Sequence, residues 1–251
     1  MITNSFIFLE RISHTTEANI WQQGIKDWTG FNDAEQVKGI STKRKGYFVR
    51  KLAEARAHLN NNDSSYFAGR FPKSEIWRLY NRFRDECLFL DIETSGYYGD
   101  ITVIGMYDGE QMMTMVKNRN LDKNMLKSIL KRYRLLVTFN GLSFDVPVIN
   151  RCFNSIVPGI PHLDLRFPLA RLGFNGGLKN IERKLKILRS NDTLSVSGED
   201  AVYLWHDYAS NGNNDSLQLL VEYNTEDTVN LKPIADFVYG SMKKQLTEQF
   251  R

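Results

Sequence analysis

The sequence predicts an α/β fold in which a mixed five-stranded sheet is flanked by helices and preceded by a small helical region. Three observations predict it: an apolar run followed by a hairpin pattern, two helix-then-strand units, and a mostly helical remainder. With 251 residues and 42% hydrophobic side chains, the chain can bury one core of about 150 residues and a smaller appendage. We therefore expect a helical region over residues 1–85 and a sheet-containing domain over residues 86–251.

The strands are predicted from short apolar runs that end at turn residues. Residues 87–90 are continuously apolar, as in a strand covered on both faces. Asp108-Gly109 separates two strand-like runs and predicts a hairpin, and Asn140-Gly141 ends a later run. The five predicted strands cover residues 87–90, 101–107, 111–116, 135–139 and 160–165.

The helices are predicted from apolar side chains at helical spacing. In residues 121–133, Leu126, Ile129, Leu130 and Tyr133 follow this spacing and indicate a crossover helix. The predicted helices of the sheet-containing domain cover residues 121–133, 145–153, 178–188, 199–209 and 216–239. A further apolar-faced helix over 74–84 should dock onto that domain.

Charge is distributed unevenly along the chain. Residues 1–85 hold 14 Lys and Arg against 9 Asp and Glu, whereas the remaining residues hold 19 against 20. Within the basic third, a dense positive stretch would attract a polyanion such as nucleic acid, although a solvated helix face explains it equally well. The stretch contains Lys38, Lys43, Arg44, Lys45, Arg50, Lys51 and Arg56.

Cysteine use and hydropathy exclude several classes of protein. Cys87 and Cys152 are isolated, so no zinc-binding pattern exists, and buried free thiols in a reducing compartment are expected. No basic leader with an apolar stretch opens the chain, and no run of about 18 apolar residues occurs. We expect a soluble, cytoplasmic protein without a membrane partner.

Asp91 and Glu93 are the first candidate functional residues. They follow the apolar run 87–90 at positions i and i+2, so both side chains should project from one face of the strand and share a cation. A surface turn is the alternative, but exposed acids do not usually follow four apolar residues directly. Strand ends at the carboxyl edge of an α/β sheet are where binding sites form.

Further acids follow later in the chain. Asp145 opens a predicted helix after the fourth strand, where helix capping alone would explain it. Tyr223 and Asp227 are four residues apart and should share one helix face, as they also would in an ordinary amphipathic helix. Asp164, near the end of the fifth strand, is interpreted as structural.

The order of these motifs resembles the three exonuclease motifs of the DnaQ-like superfamily. The motifs are D-x-E at Asp91, N-G-x-x-F-D ending at Asp145, and Y-x-x-x-D ending at Asp227. More narrowly, residues 88–231 resemble the ribonuclease-H-like exonucleases of the YprB type. A histidine-type member has His five residues before the last Asp; here that residue is Glu222, and Tyr223 has the tyrosine-type spacing.

This resemblance implies a ribonuclease-H-like fold and a set of site residues. It makes Asp91, Glu93, Asp145 and Asp227 metal ligands, and Tyr223 the residue that orients the attacking water. Two divalent cations, Mg²⁺ or Mn²⁺, suit hard carboxylate oxygens and phosphodiester hydrolysis, and no organic cofactor is expected. Contacts to the substrate are implied for Thr94, Tyr97, Asn140 and Phe144, although loop packing and turn formation also explain Tyr97 and Asn140.

The helical region resembles a degenerate helix-hairpin-helix module over residues 8–28. It departs from that pattern at Arg11 and Ser13, where the module has glycines that bring backbone N–H groups to phosphate. A small helical packing module is the alternative.

The sequence thus predicts a metal-dependent 3′-to-5′ exonuclease that acts on nucleic acid with a 3′ end. A catalytically inactive nucleic-acid-binding module and a structure-selective endonuclease are the alternative functions. No protein partner is indicated by the sequence.

Overall fold

A mixed five-stranded sheet with the order β3-β2-β1-β4-β5 organises the protein. The computed structural model describes residues 1–96 and 99–248. Its strands are β1 (Cys87–Thr94), β2 (Ile101–Tyr107), β3 (Met112–Val116), β4 (Leu135–Thr138) and β5 (His162–Asp164). The hairpin strands β2 and β3 are antiparallel to their neighbours, and β4 and β5 are parallel to β1. The predicted fold class is therefore confirmed.

Strand β1 is longer than predicted. It pairs with β2 from Phe89 to Thr94, whereas its pairing with β4 stops at Phe89 opposite Val137. Asp91 and Glu93 therefore lie inside a strand that has lost its neighbour on one side, and β1 does not end at Asp91 as expected. One side of β1 is left open next to the two acids.

The α-helices cover most of the remaining described chain. Those before the sheet are α1 (His14–Gln22), α2 (Trp28–Asp33), α3 (Thr42–Asn60) and α4 (Trp77–Phe83). Those that follow are α5 (Lys123–Leu130), α6 (Asp145–Phe153), α7 (Arg166–Arg171), α8 (Leu178–Leu185), α9 (Asn191–Leu194), α10 (Gly198–Asn211), α11 (Asn214–Val229) and α12 (Leu231–Glu248). In the described part of the chain, no helix combines the length and apolar character needed to cross a bilayer.

The predicted helix over 216–239 is two helices in the structure. α11 ends at Val229 and α12 starts at Leu231. Pro233 explains the break, because proline lacks the N–H that would bond to the Val229 carbonyl, and its ring crowds that carbonyl. Proline is tolerated in the first turn of α12, where no such bond is needed.

The two faces of the sheet pack against different helices. Phe89 and Val137 point into a core that they share with α12 and with the helices before residue 85. Leu88 and Leu90 point to the opposite face and pack against α5 and α6. Because side chains alternate along a strand, Asp91 and Glu93 share the face of Phe89. The expectation that both acids project to one side is met.

Helix α11 lies unusually close to the sheet at Gly105. A Cβ atom at Gly105 would come within 2.2 Å of Thr228 Oγ1 and 2.4 Å of Asn224 Oδ1. Gly105 is the residue opposite Asp91 in the β1–β2 pairing. The missing side chain at Gly105 thus brings α11, and with it Asp227, next to Asp91.

Residues 1–85 are connected to the rest of the protein by buried charges. Arg78 bonds to Glu17 at 2.9 Å and to Glu75 at 2.6 Å, and all three side chains are buried. Glu75 also pairs with Arg171 at the end of α7. The hydrophobic core runs without interruption from this region to the sheet. The domain boundary near residue 85 stays a prediction.

The basic stretch of residues 38–56 forms much of α3. Some of its charges have local partners: Arg44 donates to the carbonyls of Glu10 and Arg11, and Lys51 pairs with Glu54. The turn at Arg11, which has a left-handed backbone conformation, is therefore closed by an arginine side chain.

Candidate active site

Three carboxylates converge beside the open part of β1. One oxygen each of Asp91, Glu93 and Asp227 lies within 4.8 Å of the others. Asp91 and Glu93 come from β1, and Asp227 comes from the last turn of α11. Residues 136 positions apart in sequence are thus brought together by the close packing of α11 on Gly105.

Asp91 is held in place by Asn224. The Asn224 amide donates a hydrogen bond of 2.9 Å to Asp91 Oδ2 from one turn before Asp227. Burial raises the pKa of the Asp91 carboxyl well above its usual range, and the charges of Asp145, Asp227 and Glu93 raise it further, against the effect of the Asn224 bond. Asn224 was missed from the sequence, although it lies within the Y-x-x-x-D motif.

Glu93 and Asp227 experience the same crowding of negative charge. Burial raises the pKa of Glu93, and the charges of Asp227 and Asp145 add to it. Burial also raises the pKa of Asp227, although Arg189 beside it has the opposite effect. A cation that binds between carboxylates that repel one another in this way stabilises them.

Asp145 is the first residue of α6 and lies close enough to Asp91 and Glu93 for its charge to act on both. It is buried, and its charge contributes to the raised pKa of both Asp91 and Glu93. Burial raises the pKa of Asp145 itself to about 7. The helix cap is Phe144, without a side-chain hydrogen bond, so capping does not account for Asp145. Within the described residues, the close cluster contains Asp91, Glu93 and Asp227 and leaves Asp145 outside.

The loop that leads to Asp145 is organised by Asp164. The Asp164 carboxylate accepts hydrogen bonds from the N–H groups of Asn140 at 2.8 Å, Leu142 at 3.1 Å and Arg166 at 3.1 Å. Asp164 is buried and its role is structural, in agreement with the interpretation from sequence. At the start of the loop, a Cβ atom on Gly141 would come within 2.3 Å of Thr138 Oγ1, so only glycine fits there.

Tyr223 lies one turn before Asp227 on α11, as its spacing predicts. Its ring is buried, and the Lys179 ammonium group lies 4.9 Å from the ring centre. Burial raises the pKa of the phenol, and the charges of Asp227, Glu93 and Asp91 raise it further. The phenol is therefore protonated at every physiological pH and can donate a hydrogen bond.

Arg189 is a cation that reaches the acid cluster. Its guanidinium forms two hydrogen bonds with Glu182, at 2.6 and 2.8 Å, and a third with Asp227 Oδ1. Its side chain is only 2% exposed, as is that of Glu182. Glu182 also accepts a hydrogen bond of 2.9 Å from Asn230, so the arginine is fixed from behind.

The position of Arg189 corrects one interpretation from sequence. From the sequence, the basic run from Lys179 to Arg189 could bind phosphates, but a solvated helix face is the commoner explanation. In the structure Lys179 instead lies over the Tyr223 ring and Arg189 bonds to Asp227. The reason is the end of α8 at Leu185: Lys186 adopts a left-handed conformation and turns the chain back, which places Arg189 over Glu182. The intervening Arg183 and Lys184 are exposed, as expected.

The four predicted substrate contacts have different surroundings. Thr94 is buried and donates its hydroxyl to the Gly96 carbonyl at 3.0 Å. Phe144 is 36% exposed at the start of α6. Asn140 has a left-handed conformation, and its side-chain oxygen accepts a hydrogen bond from Arg166 at 2.6 Å. Tyr97 lies outside the described residues.

The site residues fit a divalent cation. Three hard oxygen ligands converge, and their mutual repulsion is only partly offset by Arg189. Asp145 adds a fourth negative charge next to Asp91. A carboxylate cluster of this kind suits Mg²⁺ or Mn²⁺ and is poorly suited to soft thiolate-binding metals.

Comparison with known proteins identifies a family to which this chain belongs. The family model described as the RNase H superfamily matches residues 88–239, which is more than half of the chain. Among solved structures, the family B DNA polymerase from the hyperthermophilic archaeon Pyrobaculum calidifontis is similar, with a TM-score of 0.49 and 14% sequence identity. That similarity covers 61% of this chain and 24% of the polymerase chain, so this chain spans about a quarter of the polymerase. No curated protein sequence matches this chain.

Proposed function

We propose, from the premise that this chain belongs to the RNase H superfamily, that it is a metal-dependent 3′-to-5′ exonuclease of nucleic acid. The observation that carries the proposal is the convergence of Asp91, Glu93 and Asp227 within 4.8 Å of one another. The superfamily gives the coarser part, hydrolysis of nucleic acid with divalent metal. The direction of attack and the two-metal mechanism are our proposals.

The proposed cation ligands are Asp91, Glu93, Asp145 and Asp227. Two bound divalent cations would lower the pKa of a water molecule and neutralise charge on the phosphate being cleaved. Asn224 fixes the orientation of Asp91, and Arg189 fixes that of Asp227 by occupying its Oδ1 atom. Asn224 and Arg189 would keep Asp91 and Asp227 in place when cation binding displaces protons from the acids.

Tyr223 is proposed to orient the attacking water. Because the pKa of its phenol is raised, the group keeps its proton and acts as a hydrogen-bond donor, not as a general base. Lys179 packs against the ring and restricts its movement. The spacing of Tyr223 and Asp227, with Glu222 where a histidine-type enzyme has its base, supports assignment to the tyrosine-type, YprB-like exonucleases.

The proposal is tested by product lengths over time. Single-stranded DNA and RNA labelled at the 5′ end are incubated with the protein and Mn²⁺, Mg²⁺ or EDTA. We expect a ladder that shortens from the 3′ end, requires metal, and is reduced at least about 100-fold by Asp91→Asn, since removing one ligand disrupts the metal site. Asp33→Asn, which changes an exposed acid on α2, is the matched control and should retain full activity.

Other outcomes point to the alternative functions. Nucleic-acid binding without cleavage would indicate an inactive binding module. Metal-dependent internal cuts, without shortening from the end, would indicate an endonuclease. Cleavage that persists in Asp91→Asn would contradict the assignment of the active site.

A further inference from the structure

A cavity lies at the carboxyl edge of the sheet, just past the ends of β4 and β5. It has a volume of about 440 Å³ and is enclosed by the end of β4, by α7 and by the start of α8. Cavities of roughly 300–1,000 Å³ are the size that binds small organic ligands. Ala170 and Gly177, which line it, are solvent-exposed, so the cavity opens to the outside. None of the described residues that line it is acidic.

Two walls of the cavity belong to chain elements that also carry residues of the proposed active site. Asn140, on one wall, belongs to the loop that leads directly to Asp145. Helix α8, on another wall, carries Lys179 against the ring of Tyr223 and Glu182 against Arg189. The cavity and the proposed active site are therefore linked through the loop before Asp145 and through α8.

The chemistry of the lining suits a nucleotide. Arg166 supplies a positive charge, and its guanidinium is held by the Asn140 side chain at 2.6 Å. A fixed guanidinium is well suited to a phosphate group. Phe139 and Phe174 are half-buried and expose part of their rings to the cavity. Phe174 is supported by an edge contact with Phe237 at 5.2 Å between ring centres, which gives it a fixed position. Aromatic rings stack on bases of any sequence.

We propose that this cavity binds one unpaired nucleotide of the substrate strand. Its phosphate would contact Arg166, and its base would lie against Phe139 or Phe174. A base in the cavity leaves its complementary strand, so the preferred substrate is a single-stranded end. The proposal rests on the proposed nuclease function, and it adds the substrate class and the residues that recognise it.

The test is the binding of AMP to the full chain in EDTA, measured by isothermal titration calorimetry. Without metal, the acid cluster repels phosphate, so binding at the acids is disfavoured. Ala170→Glu and Ala170→Gln form a matched pair, because both residues favour helices and differ chiefly in charge. We expect Ala170→Glu to raise the Kd for AMP at least about tenfold relative to Ala170→Gln, through repulsion of the phosphate.

Two further variants separate Arg166 from the general basicity of the surface. Arg166→Met should weaken AMP binding by about fivefold or more, since one charge-assisted contact is lost. Arg132→Met, which changes an exposed arginine at the opposite end of β4, should leave the Kd unchanged within about twofold. Inorganic phosphate should bind more weakly than AMP, because it cannot stack.

Several results would contradict the proposal that this cavity binds a nucleotide. They are the absence of AMP binding to the wild-type chain, equal Kd values for Ala170→Glu and Ala170→Gln, and phosphate binding as tight as AMP binding. None of these results depends on catalysis. If AMP binds as expected but Asp91→Asn leaves cleavage unchanged, the cavity stands and the active-site assignment fails.

Discussion

At the level of single residues, Asp145 has a strongly raised pKa within the site. Its carboxyl group is buried among other acids, and burial raises its pKa to about 7. Near neutral pH, part of the metal-free population therefore holds a proton on Asp145. Metal binding must displace such protons, so cation affinity should rise as the pH rises through this range.

The raised pKa of Asp145 has a consequence for stability in EDTA. A carboxyl whose folded-state pKa exceeds its unfolded value of 3.8 keeps its proton longer in the folded state, so its relative stabilisation is lost as the pH rises from about 4 to about 7. We expect the stability of wild type relative to Asp145→Asn to fall over this range by on the order of 4 kcal/mol. Urea denaturation at a series of pH values measures it. Parallel stability curves for the two proteins would contradict the raised pKa.

Arg189 is predicted to stabilise the protein as well as to orient Asp227. Arg189→Met leaves the buried Glu182 carboxylate without its charged partner, which should cost about 3–5 kcal/mol of unfolding free energy. The double variant Arg189→Met with Glu182→Leu should recover much of that loss, because the buried Glu182 charge is removed together with its partner. Arg183→Met, on the exposed face of α8, is the control and should change stability by less than about 0.5 kcal/mol. A wild-type urea midpoint for Arg189→Met would show that the pair is not formed.

At the level of elements, the distance between α11 and β2 determines the geometry of the site. That distance depends on the absence of a side chain at Gly105. Asn224 and Thr228, which face Gly105, belong to the same helix as Tyr223 and Asp227. A small displacement of α11 therefore separates Asp227 from Asp91.

Gly105→Ala tests this packing. The added methyl group should push α11 outward, lower the unfolding free energy by about 1–3 kcal/mol, and weaken Mn²⁺ binding. Gly46→Ala is the matched control, because Gly46 lies in the second turn of α3 and its added methyl meets no atom within 4 Å. That variant should gain about 0.5–1 kcal/mol. Thermal denaturation and Mn²⁺ titration measure both effects, and equal results for the two variants would refute the role of Gly105.

Most elements could be predicted from the sequence because their signals are local. The apolar run of β1, the Asp108-Gly109 turn and the spacing of Tyr223 and Asp227 each depend on neighbouring residues. What could not be predicted depends on contacts distant in sequence. Gly105 shows no local sign that a helix will lie against it, beyond being a glycine inside a strand. Arg189 points inward because of a left-handed turn at Lys186, a conformation that a lysine rarely adopts.

At the level of the whole molecule, the buried arginine Arg78 holds residues 1–85 together and binds Glu75, which in turn pairs with Arg171 in the remainder of the chain. It is fully buried between Glu17 and Glu75. Arg78→Met would leave two buried carboxylates short of a partner and should lower the unfolding free energy by about 3–5 kcal/mol. Arg50→Met, on the exposed surface of α3, should have almost no effect.

Circular dichroism and tryptophan fluorescence measure this loss together. Because one hydrophobic core runs from the first helices to the sheet, we expect both signals of Arg78→Met to change in a single transition at a lower urea concentration. Two separate transitions would show that residues 1–85 unfold on their own and that the core is not cooperative.

The pairing of Glu75 with Arg171 also limits how far residues 86–251 can be separated from residues 1–85. Arg171 is at the end of α7, the helix that contributes Arg166 and Ala170 to the nucleotide cavity. Glu75, in residues 1–85, thus supports the wall against which we place the nucleotide. A graft of residues 86–251 onto another protein would contain all four acids but would lose the ion pair of Arg171 with Glu75 that supports that wall. Selection on substrate handling would therefore reach residues such as Glu17 and Glu75, which are buried and do not line the cavity.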